Sequence, residues 1–230
     1  MADNPLQNVT YPSNGSEAHG YLTTPESGSG PGVIVIQEWW GLVDQIARTA
    51  DRLAGEGFTA LAPDLYGGRT THDADEAPEL MSSLKPDEAA RDLAGAVEYL
   101  LAHEACTSSK VGAVGFCMGG GFVLQLAHQQ GDKVGAAVAY YPVGGDTDDL
   151  SGVGCPVILQ FGGDDDYTPA DYIQGLEHKL RDAGANVTVH VHEGRGHAFF
   201  NEEDPFGTHD AELAQQTFDE MVEFFRENLN

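Results

Sequence analysis

The sequence is poor in positive charge. Lysine and arginine together number 11 against 37 aspartates and glutamates, which gives 230 residues a formal net charge of −26. So acidic a chain repels nucleic-acid phosphates and anionic membrane surfaces, so neither is an expected partner. The acidic residues run along the whole chain without one dominant block. We therefore expect a surface adapted to concentrated salt, with an acidic patch for a basic partner as the alternative.

Cysteine is also scarce, and long apolar runs are missing. Three cysteines, an odd number, argue against a disulfide framework and favour a reducing, cytoplasmic compartment. No apolar run approaches the roughly 18 residues of a membrane span, and the N-terminus has no pattern typical of a secretion signal. No Pro/Ser/Gly-rich linker divides the chain. We expect residues 1–230 to form a single domain.

Strand-like and helix-like segments alternate along the chain. An antiparallel entry pair, Asn8–Tyr11 and Ala18–Thr23, is predicted around a turn at residues 13–15. Further predicted strands are Gly32–Gln37, Phe58–Ala62, Val111–Val114, Ala136–Tyr140, Val157–Phe161 and Val187–Val191. Predicted helices are Val43–Gly55, one beginning at Pro86, Met118–Gln129, Ala170–Ala183 and Thr208–Glu227. This alternation predicts an α/β fold, a mostly parallel sheet with helices on both faces. The polar segment Arg69–Lys85 is expected to be an irregular active-site lid.

The most informative motif is G-F-C-M-G at Gly115–Gly119, which follows a β-branched run and precedes an apolar helix-like segment. This is the pattern of a nucleophile elbow with cysteine in place of serine. Glycines are needed on both sides because strand and helix nearly touch at the turn. The helix N-terminus is expected to favour the thiolate of Cys117. A buried structural cysteine in a Gly-rich turn is the alternative.

Two later strand ends carry an acid and a histidine. The order along the chain, cysteine, aspartate, His197, is typical of α/β-hydrolase triads. A thiol needs a base within hydrogen-bond reach, and a carboxylate fixes the histidine tautomer. The short Gly-rich exit from the strand favours Asp165 as this carboxylate, with Asp164 and Asp166 as alternatives.

Six motifs together carry a resemblance that spans nearly the whole chain. They are Q-E-W-W-G-L at 37–42, A-P-D-L-Y at 62–66, G-F-C-M-G-G at 115–120, A-Y-Y-P-V-G at 139–144, G-G-D-D-D-Y-T-P at 162–169 and G-H-A-F at 196–199. In this respect the chain resembles the dienelactone hydrolase family of α/β-hydrolase fold, cysteine-dependent enzymes that act on enol-lactones such as carboxymethylenebutenolide. The resemblance implies Cys117 as nucleophile, His197 as base, Asp165 as the residue that orients it, and Glu38 as the acid that partners the cysteine.

Glu38 also has a physical argument of its own. It ends an apolar run at the rim of the sheet, where an unpaired carboxylate is costly. A structural ion pair, for example with Arg195, is the alternative to a catalytic role. The backbone N–H groups of Met118 and Trp39 are expected to form the oxyanion hole.

The chain departs from the family at Asn201, where well-studied members carry an arginine that pairs with the substrate carboxylate. Asparagine donates hydrogen bonds but forms no bidentate charged pair. Dienelactone itself is therefore in doubt as the substrate, and Arg69 and His72 are candidates to replace the arginine. Tyr66 and Phe199 are expected to line an apolar pocket, together with Trp39, Trp40 and Phe200, unless these aromatics belong to the core.

Three competing interpretations remain. His190, His192 and His197 could ligate a metal, Cys117 could be a redox thiol, or the fold could be a non-catalytic binding domain. We expect instead a hydrolase of lactones or activated esters that works through a Cys117 acyl-enzyme, with no metal and no cofactor. A general short-chain carboxylesterase is the alternative enzyme. The expected partner is a small-molecule substrate, and the expected state is a monomer or homodimer.

Overall fold

A computed structural model describes residues 4–13, 15–145 and 147–229. Its eight strands form one sheet, ordered β1-β2-β4-β3-β5-β6-β7-β8. The strands are β1 (Val9–Ser13), β2 (Ser16–Thr23), β3 (Gly32–Ile36), β4 (Thr59–Pro63), β5 (Val111–Phe116), β6 (Val134–Tyr140), β7 (Val157–Gly162) and β8 (Val187–His192). Strands β1 and β2 are antiparallel to their neighbours, and all later pairs are parallel. The predicted entry pair is present, but Asn14 of its predicted turn lies outside the described residues.

The helices are α1 (Asp44–Gly55), α2 (Ala77–Ser83), α3 (Pro86–Ala102), α4 (Met118–Gln130), α5 (Ala170–Asp182) and α6 (Ala211–Asn228). Every residue of β3, β5 and β6 is buried, which requires that helices cover both faces of the sheet. The last helix begins at Ala211 rather than at Thr208. The reason is local: the side chain of Asp210 accepts a hydrogen bond from the Leu213 N–H and caps the helix there.

The prediction of an irregular lid over Arg69–Lys85 is wrong in part. This segment contains α2, whose Ala77 and Leu80 are buried against the core. Only two of its seven residues are buried, so the pattern of apolar side chains is too short to predict a helix. Among the described residues, no helix is both long and apolar enough to cross a membrane.

Candidate active site

Cys117 stands on a strained turn between β5 and α4. Its backbone has φ 54° and ψ −118°, a conformation that residues other than glycine rarely adopt. The turn is held by the Cys117 N–H, which donates to the Tyr140 carbonyl at 3.0 Å. A Cβ on Gly115 would lie 2.2 Å from the Gly119 carbonyl oxygen, and one on Gly119 would lie 2.4 Å from that of Gln37. The glycines of the motif therefore allow the close approach that this turn requires.

His197 is paired with Asp165. The Nδ1 atom of His197 lies 2.7 Å from Asp165 Oδ2, and both side chains are buried. Asp165 also accepts hydrogen bonds from the Tyr167 N–H at 2.8 Å and the Thr168 hydroxyl at 2.9 Å. Burial disfavours its charge, but these bonds and His197 hold the pKa of Asp165 below its ordinary value.

The two neighbouring acids do not share this position. Asp164 and Asp166 are exposed, whereas Asp165 is 5% exposed. Of the three adjacent carboxylates, the structure brings only Asp165 to His197.

Glu38 lies buried at the end of β3 without an arginine partner. The Tyr141 hydroxyl donates to its Oε1 at 3.0 Å, and the Asn201 amide donates to its Oε2 at 2.9 Å. Burial outweighs these bonds and the attraction of His197, so the pKa of Glu38 is raised. The predicted alternative of an ion pair with Arg195 is wrong, because Arg195 pairs with Asp210 at 2.7 Å.

The environment of Cys117 favours the thiol rather than the thiolate. Burial, followed by the charges of Glu38 and Asp165, raises the pKa of Cys117 well above its ordinary value. The Met118 N–H works in the opposite direction but does not prevail. The helix N-terminus therefore acts in the expected direction, but its effect on the pKa of Cys117 is smaller than that of the surroundings. Two nearby carboxylates and the loss of solvent outweigh one helix end.

The two predicted oxyanion donors border the site. The Met118 N–H donates a hydrogen bond to the Cys117 sulfur, and this bond lowers the pKa of the thiol. The Trp39 N–H has no acceptor within the described part of the chain. No hydrogen bond joins the Cys117 sulfur to His197 within the same part of the chain.

The predicted substrate-binding residues lie in different places. Phe199 is fully buried between Tyr140 and Tyr141, so the expectation that it touches substrate is wrong. Asn201 is 1% exposed and donates one amide hydrogen to Glu38, and it lines a small pocket with Trp40, His72, Glu203 and Pro205. Residues 198–201 are all buried, so the chain after His197 runs back through the core.

Tyr66 and Arg69 remain near the site. The Tyr66 hydroxyl donates to Met118 Sδ at 3.5 Å, and burial, followed by the nearby Cys117, raises the pKa of Tyr66. Asp64 holds this loop, since its carboxylate accepts from the backbone N–H groups of Tyr66 and Gly68. Arg69 is exposed beside Tyr66.

His72 and the remaining aromatic candidates are placed as follows. The His72 ring lies 3.3 Å from Glu203 and is occupied there. Trp40 and Phe200 are buried core residues, whereas Trp39 is half-buried.

Tyr141 was not singled out by the sequence pattern. Its hydroxyl binds Glu38, and its ring centroid lies 4.9 Å from that of His197. It also has a positive φ of 35°, which is unusual for a bulky residue. The only available signal is its place directly after a buried strand, in the motif A-Y-Y-P-V-G.

The histidines of the metal hypothesis do not converge. His190 contacts Glu220 at 2.8 Å, His192 bonds Gln160 at 2.7 Å, and His197 is held by Asp165. Across residues 4–13, 15–145 and 147–229, no three histidines, cysteines or acids are grouped as metal ligands.

The parallel sheet, the antiparallel entry strands and the strand-to-helix turn at Cys117 define an α/β-hydrolase. The dienelactone hydrolase family model matches residues 18–229, and the chain belongs to this family. It is 34% identical to "Protein usf" of Aquifex pyrophilus, over 97% of this chain and 99% of that protein. It is 31% identical to the "Putative carboxymethylenebutenolidase" of Aquifex aeolicus, over the same shares.

A solved structure agrees with this assignment. A dienelactone hydrolase-like promiscuous phosphotriesterase from metagenomic libraries superposes with a TM-score of 0.85 at 26% identity, covering 96% of this chain and 97% of that one. The predicted family, fold and enzyme class, a hydrolase of ester or lactone bonds, are thereby confirmed.

Proposed function

We propose that the protein hydrolyses lactones or activated esters through an acyl-enzyme on Cys117. One observation carries this proposal: Tyr141 donates to the buried carboxylate of Glu38 at 3.0 Å and its ring centroid lies 4.9 Å from that of His197, while the charge of the same Glu38 raises the pKa of Cys117. The charge of Glu38 acts on the thiol, and the charge of His197 acts on Glu38. A purely structural cysteine needs no such neighbours.

Each residue has one role in the proposed reaction. His197 takes the proton of Cys117, and the sulfur attacks the carbonyl carbon of the substrate. The Trp39 and Met118 N–H groups donate to the resulting oxyanion, and the leaving oxygen departs with the proton of His197. Water activated by His197 then cleaves the thioester and restores the thiol. Asp165 orients the imidazole throughout, and Glu38 keeps the resting sulfur protonated.

In this proposal the substrate lies beside Tyr66, and Arg69 is the candidate residue that binds one of its polar groups. A general short-chain carboxylesterase is a second candidate function. The observation that favours it is Asn201, an uncharged residue whose amide donates to Glu38 at 2.9 Å and which forms no charged pair with a substrate carboxylate.

Replacement of the sulfur tests the proposal. Cys117→Ala is expected to abolish the hydrolysis of p-nitrophenyl acetate while circular dichroism shows an unchanged fold. Intact-mass spectrometry of the wild type, quenched during turnover, is expected to show one added acetyl group. Cys155→Ala is a matched control, because Cys155 is also a buried free cysteine but precedes β7 and is not on the turn between β5 and α4. If Cys117→Ala hydrolyses as fast as the wild type, the nucleophile has been misassigned.

The wider predictions remain proposals. The three cysteines are free thiols, which supports a reducing cytoplasmic compartment. We retain a single domain, a monomer or homodimer, and a salt-adapted surface. The last is checked by the unfolding temperature in KCl: it is expected to rise with concentration, and best stability in dilute buffer would contradict it.

A further inference from the structure

Two aromatic side chains from the loops border the His197 imidazole, and a third packs against one of them. The ring centroid of Tyr167 lies 4.7 Å from that of His197, and the ring of Phe206 lies 5.9 Å from it. The rings of Tyr167 and Phe206 are 6.3 Å apart, and Trp39 lies 6.1 Å from Phe206. We call Trp39, Tyr167 and Phe206 the aromatic rim. It connects the histidine to the residue whose N–H is the proposed oxyanion donor.

The aromatic rim is not part of the core. Tyr167 is 55% exposed, which is unusual for a large aromatic ring, and Trp39 and Phe206 are half-buried. The three residues come from three separate loops, one after β3, one after β7 and one beyond His197. An exposed ring in contact with a candidate catalytic group is placed where a ligand would cover it.

The charged groups around the aromatic rim leave little to attract an anion. Arg48 is bound to Glu202 and Glu203, and His72 also contacts Glu203. Arg195 is bound to Asp210. The exposed acids Asp164 and Asp166 flank Asp165 in the loop that carries Tyr167. A carboxylate entering here meets acids and neutralised bases in a protein of net charge −26, and the base left to attract it is Arg69, which is exposed beside Tyr66 and has no ion pair among the described residues.

We propose that the aromatic rim binds a neutral, planar group of the substrate, an aromatic or conjugated ring without a carboxylate. The proposal rests on the proposed ester or lactone hydrolysis and specifies its substrate class. Planar rings stack on the aromatic rim in offset or edge-to-face geometry. Saturated rings of the same size stack less well. Uncharged esters avoid the repulsion that an anionic lactone would meet.

Binding to the Cys117→Ala protein tests the proposal without turnover. The probes are methyl 4-hydroxybenzoate, its free carboxylate, and the saturated analogue methyl 4-hydroxycyclohexanecarboxylate, measured by calorimetry. The neutral aromatic ester is expected to bind about 10-fold more tightly than the carboxylate and about 5-fold more tightly than the saturated ester. Equal or tighter binding of either comparison compound would overturn the proposal. Failure here leaves the nucleophile untouched, because only Cys117→Ala turnover assays address it.

Variants in the same Cys117→Ala background identify the surface. Tyr167→Ala and Phe206→Ala are each expected to weaken binding of the aromatic ester about 3- to 10-fold. Tyr99→Ala is the control: Tyr99 also stacks on another ring, Tyr11, but on α3 rather than at the aromatic rim. Equal losses in all three variants, or none in the first two, would refute the assignment. Tight carboxylate binding that Arg69→Gln removes would show that an anion is the true ligand.

Discussion

Asp165 and Glu38 are both buried carboxylates whose pKa values respond to His197, but the surroundings of the two treat their charge differently. The loop after β7 gives Asp165 a backbone N–H, a hydroxyl and an imidazole, and the pKa of Asp165 falls. Glu38, just after β3, accepts hydrogen bonds from the Tyr141 hydroxyl and the Asn201 amide. These bonds do not compensate for burial, so the pKa of Glu38 rises.

This contrast separates two tasks within one site. A carboxylate that must remain ionised to orient a base needs several donors, including one that becomes cationic. A carboxylate with a raised pKa keeps its proton to a higher pH than a free carboxylate does, and so couples its own charge to that of Cys117. Pairs of acids whose pKa values are driven apart are a common arrangement in active sites.

The largest expected effect comes from Asp165→Asn. The amide removes the carboxylate that fixes the tautomer of His197, so kcat for p-nitrophenyl acetate is expected to fall about 10³- to 10⁴-fold. Asp164→Asn is the control, because that neighbour is exposed. A loss of less than 10-fold in the Asp165 variant would mean that the pair is structural.

Glu38→Gln tests the other carboxylate. Removal of its charge is expected to lower the pKa of Cys117, because the Glu38 charge, after burial, is what raises it. The midpoint pH for iodoacetamide alkylation of Cys117, followed by peptide mass mapping, is expected to fall by about 1–2 units. An unchanged or higher midpoint would show that Glu38 does not control the thiol.

Tyr141→Phe addresses the same acid indirectly. Loss of the donor to Glu38 is expected to raise the pKa of Glu38 further and to move the acidic limb of the kcat/KM profile up by about one pH unit. Tyr140→Phe is a matched control, since its equally buried hydroxyl bonds the Thr217 carbonyl instead. A shift of the same size in both variants would be a general packing effect.

The smallest expected effect is on stability, through Thr168→Val. Loss of the hydroxyl bond to Asp165 is expected to lower the free energy of unfolding by about 1.5 kcal/mol at neutral pH, in urea titrations. Because the pKa of Asp165 is lowered in the folded state, this contribution is present above its unfolded value and is lost as pH falls through the folded value.

Thr217→Val provides the comparison for that result. Its hydroxyl donates to the backbone carbonyl of Leu213, which does not titrate, so its cost should not depend on pH. If the Thr168 variant also loses the same amount at low pH, its partner is not an ionised Asp165.

Much of the fold follows from local sequence. Continuous apolar runs such as Gly32–Ile36 can only be strands covered on both faces, and the periodic helices α1 and α3 bury one stripe each. Helix α2 was not predictable, because it buries only Ala77 and Leu80 and is stabilised by tertiary contacts. Helix α6 begins at Ala211 rather than at the predicted Thr208, because Asp210 caps its N-terminus. The periodicity of apolar residues does not indicate such a cap.

The sequence by itself indicated Cys117, His197 and a group of three candidate acids, because glycine spacing at the turn and strand ends at one edge of a parallel sheet leave few other places for them. Only the tertiary structure decided that Asp165 is the acid that meets His197, in which direction the pKa of Cys117 moves, and which residues surround the site. The raised pKa of Cys117, the binding of Asn201 to Glu38, the burial of Phe199 and the place of Tyr141 all depend on groups far apart in the chain. Distance through space and the exclusion of water set a pKa, and neither is written in the local order of residues.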